Sequence, residues 1–587
     1  MQKRWVIKQQ GKSEQVEELA GVLNINKNLA NLLVQRGITT YQQAKVFFRP
    51  ELGKLHDPFL MKDMATAIER INKAIASNEQ ILIYGDYDVD GTTAVALVYT
   101  YLKKIYPQVG FYIPDRYSEG YGISYQGIDY ASQQGYSLVI ALDCGIKAVD
   151  KIRYANEHNI DFIICDHHRP GQELPDAHAV LDPKRPDCSY PYKELSGCGV
   201  GFKLIQAYQQ KLNKPFDELI IYLDLVVVSI AADIVPVTGE NRILAYYGLK
   251  LINHNPRPGI EAILQFSGIR KKTEQSPKKP TSFTREITVS DLVFLVGPRI
   301  NAAGRIESAN NSVELLVADK LSEAEKIADQ INNLNTERRN LDAQTTQEAL
   351  EMIAKDEKLK NSKTTVLYNP GWHKGVIGIV ASRLTEVYYR PTIVLTKSNG
   401  LITGSARSVK DFDIYDAIDS CSHLLEHFGG HKYAAGLSLK PENLDAFKNS
   451  FDKIVNETIE DNMLVPEIEI DAVLNLSDIN AKFNRILKQF APFGPGNMAP
   501  VFLAKELIDT GHARIVGNNH LKMNVIHQKI SSLPFPAIAF QQGTHFEQIS
   551  NSNSFNICYH LEENTWNGVV SLQLNVKDIQ SVISGLD

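Results

Sequence analysis

The stretch Ile81–Gly91, ILIYGDYDVDG, joins an apolar run to three aspartates at alternate positions. Further apolar runs follow at Phe111–Ile113, Leu138–Leu142, Phe162–Cys165 and Leu225–Ile230. Unbroken apolar runs of this length are typical of strands buried on both faces of a parallel sheet. Several of the intervening segments have the length and composition of crossover helices. The sequence therefore predicts an α/β domain built on a parallel sheet.

Acidic or imidazole side chains follow four of these predicted strands. They are Asp86, Asp88, Asp90, Asp143, Asp166, His167, His168 and Asp233. The carboxyl ends of parallel strands share one edge of the sheet, where ligands bind, so we expect these side chains in one crevice. Six carboxylates without local cations cannot all stay ionised. Each Asp alone could be a turn or N-cap residue, but four acidic strand ends in succession favour a metal site.

The donor set of that crevice favours particular ions. Carboxylates with one or two imidazoles suit a hard or borderline cation such as Mn²⁺ or Mg²⁺. Two such ions about 3.5–4 Å apart would bridge an attacking water and a phosphoryl oxygen. The segment Gly85–Thr92 superficially resembles a nucleotide-binding P-loop, but it contains no Lys and its carboxylates would repel phosphate. The sequence therefore predicts a metal-dependent phosphoesterase centre rather than a nucleotide triphosphate cradle.

The rest of the chain has a distinct organisation. Residues 267–290 are basic, polar and broken by prolines, which favours a solvated surface loop over a nucleic-acid contact. Residues 321–355 lack Gly and Pro and carry an apolar stripe, which predicts one helix about 50 Å long. A second α/β region follows from about 364 to 455. The tail, 465–587, alternates short apolar and polar runs with turn signals and predicts an all-β barrel or sandwich.

Composition excludes several classes of protein. The 587 residues suggest about three to five domains, and 43% hydrophobic with 22% charged residues is ordinary for a folded, non-membrane chain. Six cysteines without a CxxC pair argue against a disulfide scaffold or a zinc ribbon and for a reducing, cytoplasmic location. The net charge of −6 matches the size of the acidic cluster alone, which leaves the remainder near neutral.

Many spaced motifs resemble those of the DHH phosphoesterase superfamily, named for the triplet found here at 166–168, and within it the single-strand-specific 5′→3′ exonucleases of bacteria. Ala406 is a small departure, where that family often has Gly. The matching segments are Gly85–Thr93, Pro114–Ser124, Leu142–Gly145, Asp166–His168, Leu195–Phe202, Ser229–Pro236, Gly297–Ile306, Trp372–Arg383, Gly404–Ser408, Gly429–Gly436, Pro492–Asn497 and Trp566–Ile579.

The resemblance implies an α/β fold with a DHH parallel-sheet domain. A long helix would join it to a DHHA1 α/β domain, and a C-terminal all-β oligonucleotide-binding (OB-like) barrel would follow. The expected boundaries are a lead-in domain at 1–75, the DHH domain at 76–265, a basic loop, the GPRINAAGR segment and the connecting helix at 266–360, the DHHA1 domain at 361–460 and the OB-like domain at 461–587.

The resemblance also assigns roles to site residues. Metal ligands are expected at Asp88, Asp90, Asp143, His167 and Asp233. Catalytic roles are expected for Asp86 as a ligand or water-orienting group, for Asp166 as the residue that orients His167, and for His168 as a phosphate contact or proton donor. Contacts to the substrate are expected from Arg116, Arg299, Asn301, Arg305, Ser405, Arg407, Ser408 and His431. Gly404–Ser408 combines backbone donors, hydroxyls and a guanidinium, as in a nest for a terminal phosphate.

The implied function is a single-stranded-DNA-specific 5′→3′ exonuclease of DNA repair and recombination, which releases 5′-mononucleotides with two ions of Mn²⁺ or Mg²⁺. A cleft between the two α/β domains would admit only a single strand, and a helicase and a single-strand-binding protein are expected partners. Three alternatives stay open: a phosphodiesterase of the same superfamily for short oligonucleotides or cyclic dinucleotides, a non-catalytic DNA-binding relative, and a metal-dependent pyrophosphatase. The long tail and the full set of acidic positions count against them.

Overall fold

The structure is a computed structural model that describes residues 3–272, 281–529, 533–551, 553–566 and 569–582. Residues 273–280 of the predicted basic loop at 267–290 lie outside the described residues, as do residues 567–568, whose sequence Asn-Gly is one of the turn signals of the tail. The described strands, β1 to β19 in chain order, are Arg4–Ile7, Gln80–Gly85, Val109–Tyr112, Tyr136–Leu142, Asp161–Cys165, Ala179–Leu181, Thr365–Tyr368, Thr392–Ser398, Leu401–Arg407, His427–His431, Ala434–Leu439, Glu467–Ile470, Ala472–Val473, Phe502–Asp509, Arg514–Val516, His520–His527, Phe535–Ala539, Phe555–Trp566 and Val569–Ser581.

The described α-helices connect and flank these strands. In chain order, α1 to α21 are Ser13–Leu23, Lys27–Gln35, Tyr41–Phe48, Met64–Ala76, Val89–Lys103, Tyr125–Gln133, Val149–Glu157, Gly197–Lys211, Leu223–Ala232, Gly239–His254, Pro258–Phe266, Val289–Asp291, Gly297–Ile306, Asn310–Val317, Leu321–Lys355, Glu357–Asn361, Ile377–Tyr388, Ile414–Asp419, Leu444–Thr458, Ala481–Lys488 and Phe546–Ser550. None of the helices in the described ranges is long and apolar enough to cross a membrane.

The chain divides into two compact units, Leu52–Leu464 and a unit that combines Met1–Glu51 with Val465–Asp587. Strand β1 pairs in parallel with β12, so that Arg4 lies opposite Glu467. The division therefore differs from the predicted lead-in domain at 1–75. The first 51 residues join the C-terminal ones through this long-range pairing, whereas α4 packs against α8 in the other unit.

A five-stranded parallel sheet with the order β3-β2-β4-β5-β6 forms the centre of the larger unit. The four predicted strands at 81–84, 111–113, 138–142 and 162–165 correspond to β2, β3, β4 and β5. The apolar side chains of β2, β4 and β5 are largely buried because helices cover both faces of the sheet, whereas Phe111 and Tyr112 of the edge strand β3 are half-buried. The predicted parallel sheet is confirmed.

The prediction of a strand at Leu225–Ile230 is wrong, because the structure places this run inside helix α9. The residues of α9 from Leu223 to Ala231 are buried on every side. A fully buried helix shows no polar stripe, so a short apolar run gives the same pattern for a buried helix and a buried strand. Asp233 therefore follows the end of a helix rather than a strand.

Helix α15 spans Leu321–Lys355, as the sequence predicted, and leads into a second sheet with the order β10-β11-β9-β8-β7. Strand β9 lies in the middle of this sheet and pairs with β8 on one side and β11 on the other. Helix α17 packs against β8 and β9. This second α/β region agrees with the predicted one.

The smaller unit contains a closed barrel. Strands β14, β18, β19, β17 and β16 are neighbours in that order, and β16 pairs back with β14, with Leu507 opposite His527. Buried aromatic rings fill it, and those of Phe502 and Tyr559 lie 6.0 Å apart. The predicted C-terminal β-barrel is confirmed, and helices α2 and α20 pack beside it.

Candidate metal centre and phosphate-binding residues

The strand register brings four aspartates to one edge of the parallel sheet. Gly85 of β2 lies beside Leu142 of β4, Leu142 beside Cys165 of β5, and Cys165 beside Leu181 of β6. The residues that directly follow these strand ends are Asp86, Asp143, Asp166 and Asp182. All four are buried. The topology therefore assembles an acidic crevice, as the sequence predicted.

Asp90 lies in the first turn of α5 and is held by the N-terminus of α8. Its Oδ2 accepts a hydrogen bond from the backbone N–H of Gly197 at 2.7 Å, and its Oδ1 accepts from Cys198 at 2.8 Å. The hydroxyl of Ser229 on α9 also donates to Oδ1, at 2.7 Å. Helix α8 begins at Gly197, and the anion at its N-terminus is a carboxylate of the chain itself.

Asp143 has a φ of +59°, in the left-handed region that Asp tolerates better than most residues. Gly197 allows this side chain to fit, since a Cβ at position 197 would lie 2.6 Å from the Cβ of Asp143 and 2.7 Å from its Oδ1. Burial and the charges of Asp90 and Asp88 raise the pKa of Asp143 well above its usual value.

His167 lies at the centre of the cluster. Its Nε2 is 3.2 Å from Asp143 Oδ1, 3.5 Å from Asp233 Oδ2 and 3.7 Å from Asp90 Oδ2. Both ring nitrogens of His167 are buried and have no hydrogen-bond partner among the described residues, and the same holds for Asp143 Oδ1. Three carboxylates thus face one imidazole without hydrogen bonds to it.

Asp86 and Asp88 lie beside this group. Asp86 Oδ2 is buried and has no hydrogen-bond partner in the described part of the chain, and burial together with Asp88 raises the pKa of Asp86. Asp88 caps α5, since its Oδ1 accepts from the backbone N–H groups of Asp90 and Gly91 at 2.8 and 3.1 Å. Its second carboxylate oxygen takes no part in this cap.

Asp166 has a different partner from the predicted one. Its Oδ1 accepts from the backbone N–H of His167 at 2.7 Å and lies 2.7 Å from Nδ1 of His168, and its Oδ2 accepts from Ile146 N–H at 2.9 Å. Burial alone would raise the pKa of Asp166, but these bonds and the charge of His168 lower it to about 2. Asp166 therefore orients the ring of His168, not that of His167, because the His167 ring points away into the acidic cluster.

His168 is held at both ring nitrogens and remains partly exposed. Its Nε2 lies 3.2 Å from the hydroxyl of Tyr121, and its side chain is 42% exposed. Burial would lower its pKa, but the hydrogen bond and charge of Asp166 raise it to about 9. The ring thus presents a cationic edge to the crevice, as expected for a residue that faces substrate.

The donor set fits a divalent cation. The ligand atoms of Asp90, His167 and Asp233 lie within 4.8 Å of one another, as do those of Asp143, His167 and His168. Burial and the charges of Asp90 and Asp88 raise the pKa of Asp233 to about 8. Buried carboxylates that resist ionisation, beside an imidazole with two free nitrogens, are stabilised once a cation is shared among them.

Arginines lie beside the acidic crevice. The guanidinium of Arg116 is 4.9 Å from the ring centre of Tyr87 and makes no hydrogen bond or ion pair with any described residue. Arg305 of α13 donates to the carbonyl of Gly375 at 3.1 Å. Burial and the positive charges of Arg116, Arg338 and Arg407 lower the pKa of Arg305 to about 10.

Arg299 and Asn301 occupy the same helix as Arg305. Arg299 donates to the side chain of Asn332 at 3.2 Å and to the carbonyl of Leu295 at 2.8 Å, which fixes its side chain between α13 and α15. Asn301 is half-buried. The structure therefore places the predicted residues of the GPRINAAGR segment on one helix, with Arg305 towards the other cations.

Gly404–Ser408 does not form the predicted nest, because Gly404–Arg407 belongs to strand β9 and Ser408 follows directly after the strand. Its backbone groups take part in the pairing with β8 and β11, which leaves the side chains as donors. Arg407 donates to the hydroxyls of Ser382 and Ser405 at 3.1 and 3.0 Å, and Gly378 leaves room for it at the start of α17.

The side-chain hydrogen bonds of Ser408 and His431 do not involve Arg407. The hydroxyl of Ser408 donates to the carbonyl of Phe412 at 2.8 Å. His431 is exposed on the β10–β11 hairpin, where its Nδ1 accepts from the backbone of Tyr433 at 3.4 Å. Neither side chain is tied to Ser405 or Arg407 by a hydrogen bond in the described part of the chain.

Sequence reasoning missed three residues of the site. Asp182 follows β6 just as Asp86 follows β2, and the signal was present in the segment HAVLDP, but the strand has only three residues. Ser229 holds Asp90, and Tyr121 contacts His168. A hydroxyl that forms a hydrogen bond with a residue far away in the chain leaves no local pattern in the sequence.

The fold and the acidic crevice are those of the DHH phosphoesterases, and family models agree. The model of the DHH family, N-terminal domain, matches residues 80–230, the DHHA1 domain matches 361–457, and the RecJ OB domain matches 470–578.

Characterised relatives narrow this class. The single-stranded-DNA-specific exonuclease RecJ of Bacillus subtilis is 37% identical over 578 residues, which cover 98% of this chain and 70% of the relative. The Escherichia coli protein of the same name is 31% identical, over 94% of this chain and 95% of its own length. The chain belongs to the RecJ family.

Solved structures agree with this assignment. The crystal structure of RecJ in complex with Mn²⁺ from Thermus thermophilus matches with a TM-score of 0.82 at 26% identity, over 99% of this chain and 80% of that one. A second structure of the same protein, with Mg²⁺, matches with a TM-score of 0.76 at 25% identity, over 99% and 79%. The ions in these relatives are of the kind that the donor set here favours.

Proposed function

We propose that this chain is a metal-dependent exonuclease that hydrolyses phosphodiester bonds of single-stranded DNA. The observation that carries the proposal is the group formed by buried Asp90, Asp143 and His167 with half-buried Asp233, whose facing atoms lack hydrogen bonds to one another. These four side chains would hold divalent ions, with the free oxygen of Asp88 completing the set. Mn²⁺ or Mg²⁺, most consistently two ions, would supply Lewis-acid activation of water and neutralise phosphate charge.

The chain's own residues would orient the phosphate. His168 is fixed by Asp166 at Nδ1 and lies 3.2 Å from the Tyr121 hydroxyl at Nε2, so its partly exposed ring would offer positive charge to a phosphate, and Nε2–H could donate to it only in place of Tyr121. Arg116 has N–H donors that no described residue uses, and a guanidinium matches the geometry of a phosphate. Donors that are fixed before the reaction stabilise the additional negative charge of the transition state.

The proposal extends to the form of the substrate and its setting. Degradation from the 5′ end to 5′-mononucleotides, through a cleft that admits a single strand, is supported by the match to RecJ proteins over both α/β regions and the barrel. The barrel would add stacking and backbone contacts to the strand. Action in repair and recombination in the cytoplasm, with a helicase and a single-strand-binding protein as partners, completes the proposal.

The test compares Asp143→Ala with Asp150→Ala. Asp150 is an exposed residue on α7, so it controls for loss of one carboxylate near the same sheet. Each protein is incubated with 5′- or 3′-labelled single strands and duplexes, with Mn²⁺ or with EDTA.

We expect Mn²⁺-dependent release of mononucleotides from single strands by the wild type and by Asp150→Ala. Activity should fall at least about 1,000-fold in Asp143→Ala. Equal activity of Asp143→Ala would contradict the metal-site assignment. Cleavage of dinucleotides alone would assign the chain to the small-substrate phosphodiesterases instead.

A further inference from the structure

Ile234 has a backbone conformation that its side chain disfavours. Helix α9 ends at Ala232, Asp233 follows as its C-cap, and Ile234 comes next with a φ of +60°. A left-handed residue commonly follows the end of a helix, but that residue is usually Gly, because a branched Cβ is crowded by the backbone in this region. Glycine at position 234 would remove this strain. The chain therefore keeps the isoleucine side chain here at a cost to its stability.

The residues on both sides of Ile234 fix this turn. The backbone N–H of Asp233 donates to the carbonyl of Ser229 at 2.9 Å, which completes the last turn of α9. The carbonyl of Pro236 accepts from the hydroxyl of Tyr192 at 3.1 Å and from Nδ2 of Asn241 at 3.0 Å. Strained backbone persists where the surrounding structure holds it in place, and such residues are concentrated at functional sites.

The side chain of Ile234 lies in solvent rather than in the core. It is 65% exposed, whereas the next residue, Val235, is buried. An aliphatic side chain stabilises a fold through the surface that it removes from water, and Ile234 removes little. Packing in the hydrophobic core therefore does not compensate for the strained backbone at this position.

Ile234 lies where the acidic cluster opens to solvent. The side chains of Asp90, Asp143 and His167 are at most 6% exposed. That of Asp233 is 28% exposed, although its Oδ2 lies 3.5 Å from Nε2 of His167. The cluster is therefore open to solvent on the side of Asp233. Because consecutive Cα atoms are only about 3.8 Å apart, Ile234 lies at this opening.

We infer that the side chain of Ile234 packs against the sugar next to the scissile phosphate and thereby selects deoxyribose over ribose. The inference rests on the proposed function, in which that phosphate binds to ions held beside Asp233. The sugar is joined directly to this phosphate, and its carbon atoms match an aliphatic side chain, whereas bases usually stack on aromatic rings. A ribose would place its 2′-hydroxyl against Ile234, where the hydroxyl would lose water without gaining a hydrogen bond. Such a contact explains why the position keeps isoleucine rather than glycine.

The test measures discrimination between the two sugars. Ile234→Ala removes most of the side chain, Ile234→Gly also removes the backbone strain, and Ile221→Ala is a matched control at another exposed isoleucine of the same unit. The ratio kcat/KM is measured with Mn²⁺ on DNA single strands and on strands with one ribonucleotide at each of the first three positions from the 5′ end. The Mn²⁺ affinity of each protein is measured by titration calorimetry.

We expect a ribonucleotide at one of these positions to lower kcat/KM about 10- to 100-fold in the wild type and in Ile221→Ala. At that position, Ile234→Ala and Ile234→Gly should discriminate about 10-fold less than the wild type. The two variants should agree, because both lack the aliphatic side chain and only one relieves the strain. Their Mn²⁺ affinity should equal that of the wild type.

Unchanged discrimination in both Ile234 variants, or none in the wild type, would overturn the inference. An equal loss of kcat/KM on every strand, together with weaker Mn²⁺ affinity, would also overturn it, since Ile234 would then only position Asp233. A wild type that degrades no single strand with Mn²⁺ would instead contradict the proposed function, so the two failures are distinguishable.

Discussion

Replacing Asp233 with Asn should stabilise the metal-free protein. The same substitution should greatly reduce the further stabilisation that Mn²⁺ gives to the folded wild type. Oδ2 of Asp233 lies 3.5 Å from Nε2 of His167, and Oδ2 of Asp90 lies 3.7 Å from the same nitrogen. The two carboxylates are therefore held together with only a neutral imidazole between them. Asn has nearly the same shape as Asp but carries no charge, so the substitution tests the electrostatic cost alone.

The magnitude follows from the distances. The ligand atoms of Asp90, His167 and Asp233 lie within 4.8 Å of one another. Two unit negative charges 4.8 Å apart repel by about 3.5 kcal/mol at an effective dielectric constant of 20. The raised pKa of Asp233, about 8, means that proton uptake relieves part of this repulsion at pH 7. We therefore expect Asp233→Asn to raise the free energy of unfolding by about 1–3 kcal/mol in EDTA.

The assay is urea denaturation at pH 7, followed by circular dichroism, in EDTA and in Mn²⁺. A cation that binds only the folded wild type at 100 times its Kd stabilises it by about 2.7 kcal/mol, and Asp233→Asn should gain much less. Asp176→Asn, an exposed position in the same unit, controls for loss of one negative charge. The reasoning is refuted if Asp233→Asn is less stable than the wild type in EDTA, or if Mn²⁺ stabilises both equally.

Two further variants test how the cluster is held in place. Gly197→Ala would place a Cβ 2.7 Å from Oδ1 of Asp143 and displace this carboxylate. We therefore expect titration calorimetry to show a Mn²⁺ affinity at least about 10-fold weaker than that of the wild type. An unchanged affinity would show that the close approach of Gly197 to Asp143 is not needed for metal binding. Because the pKa of Asp166 falls from 3.8 to about 2 on folding, its ionised form stabilises the protein above pH 4 and this contribution is lost as pH falls towards 2. Asp166→Asn should therefore lower the free energy of unfolding by about 2 kcal/mol at pH 6, and denaturation from pH 6 to 3 should show the difference from wild type narrowing below pH 4; a constant difference would contradict this origin.

Features that depend on residues close together along the chain could be predicted from the sequence. Buried parallel strands show as unbroken apolar runs, and helix α15 shows as 35 residues without Gly or Pro. The aspartates after β2, β4 and β5 were predicted to meet because the edge of a parallel sheet is shared. Residue chemistry and the rule that parallel strands share one edge were sufficient to predict most residues of the acidic crevice.

Features that depend on residues far apart along the chain could not be predicted from the sequence. The apolar run of α9 has the same pattern as a buried strand, since no face of that helix reaches solvent. Gly404–Ser408 contains turn-forming residues, yet pairing with β8 and β11 makes it a central strand. The pairing of β1 with β12 joins residues more than 450 positions apart, which no local signal predicts.

The surroundings of Arg338 show the same limit in a single residue. An arginine on a long, polar helix usually belongs to a solvated face, and its sequence context, NTERRN, carries no further signal. Only the structure shows that its Nε is buried without a partner while exposed Arg339 follows it. The functional meaning of such a residue depends on which charges face it from other elements.

The central claim, that the acidic crevice is a divalent-metal centre, is tested most directly by anomalous scattering from crystals of the protein grown with Mn²⁺. The account predicts strong peaks at the manganese edge within about 2.0–2.4 Å of oxygen or nitrogen atoms of Asp90, Asp143, His167 and Asp233. The absence of any peak among these four side chains at millimolar Mn²⁺ would contradict it.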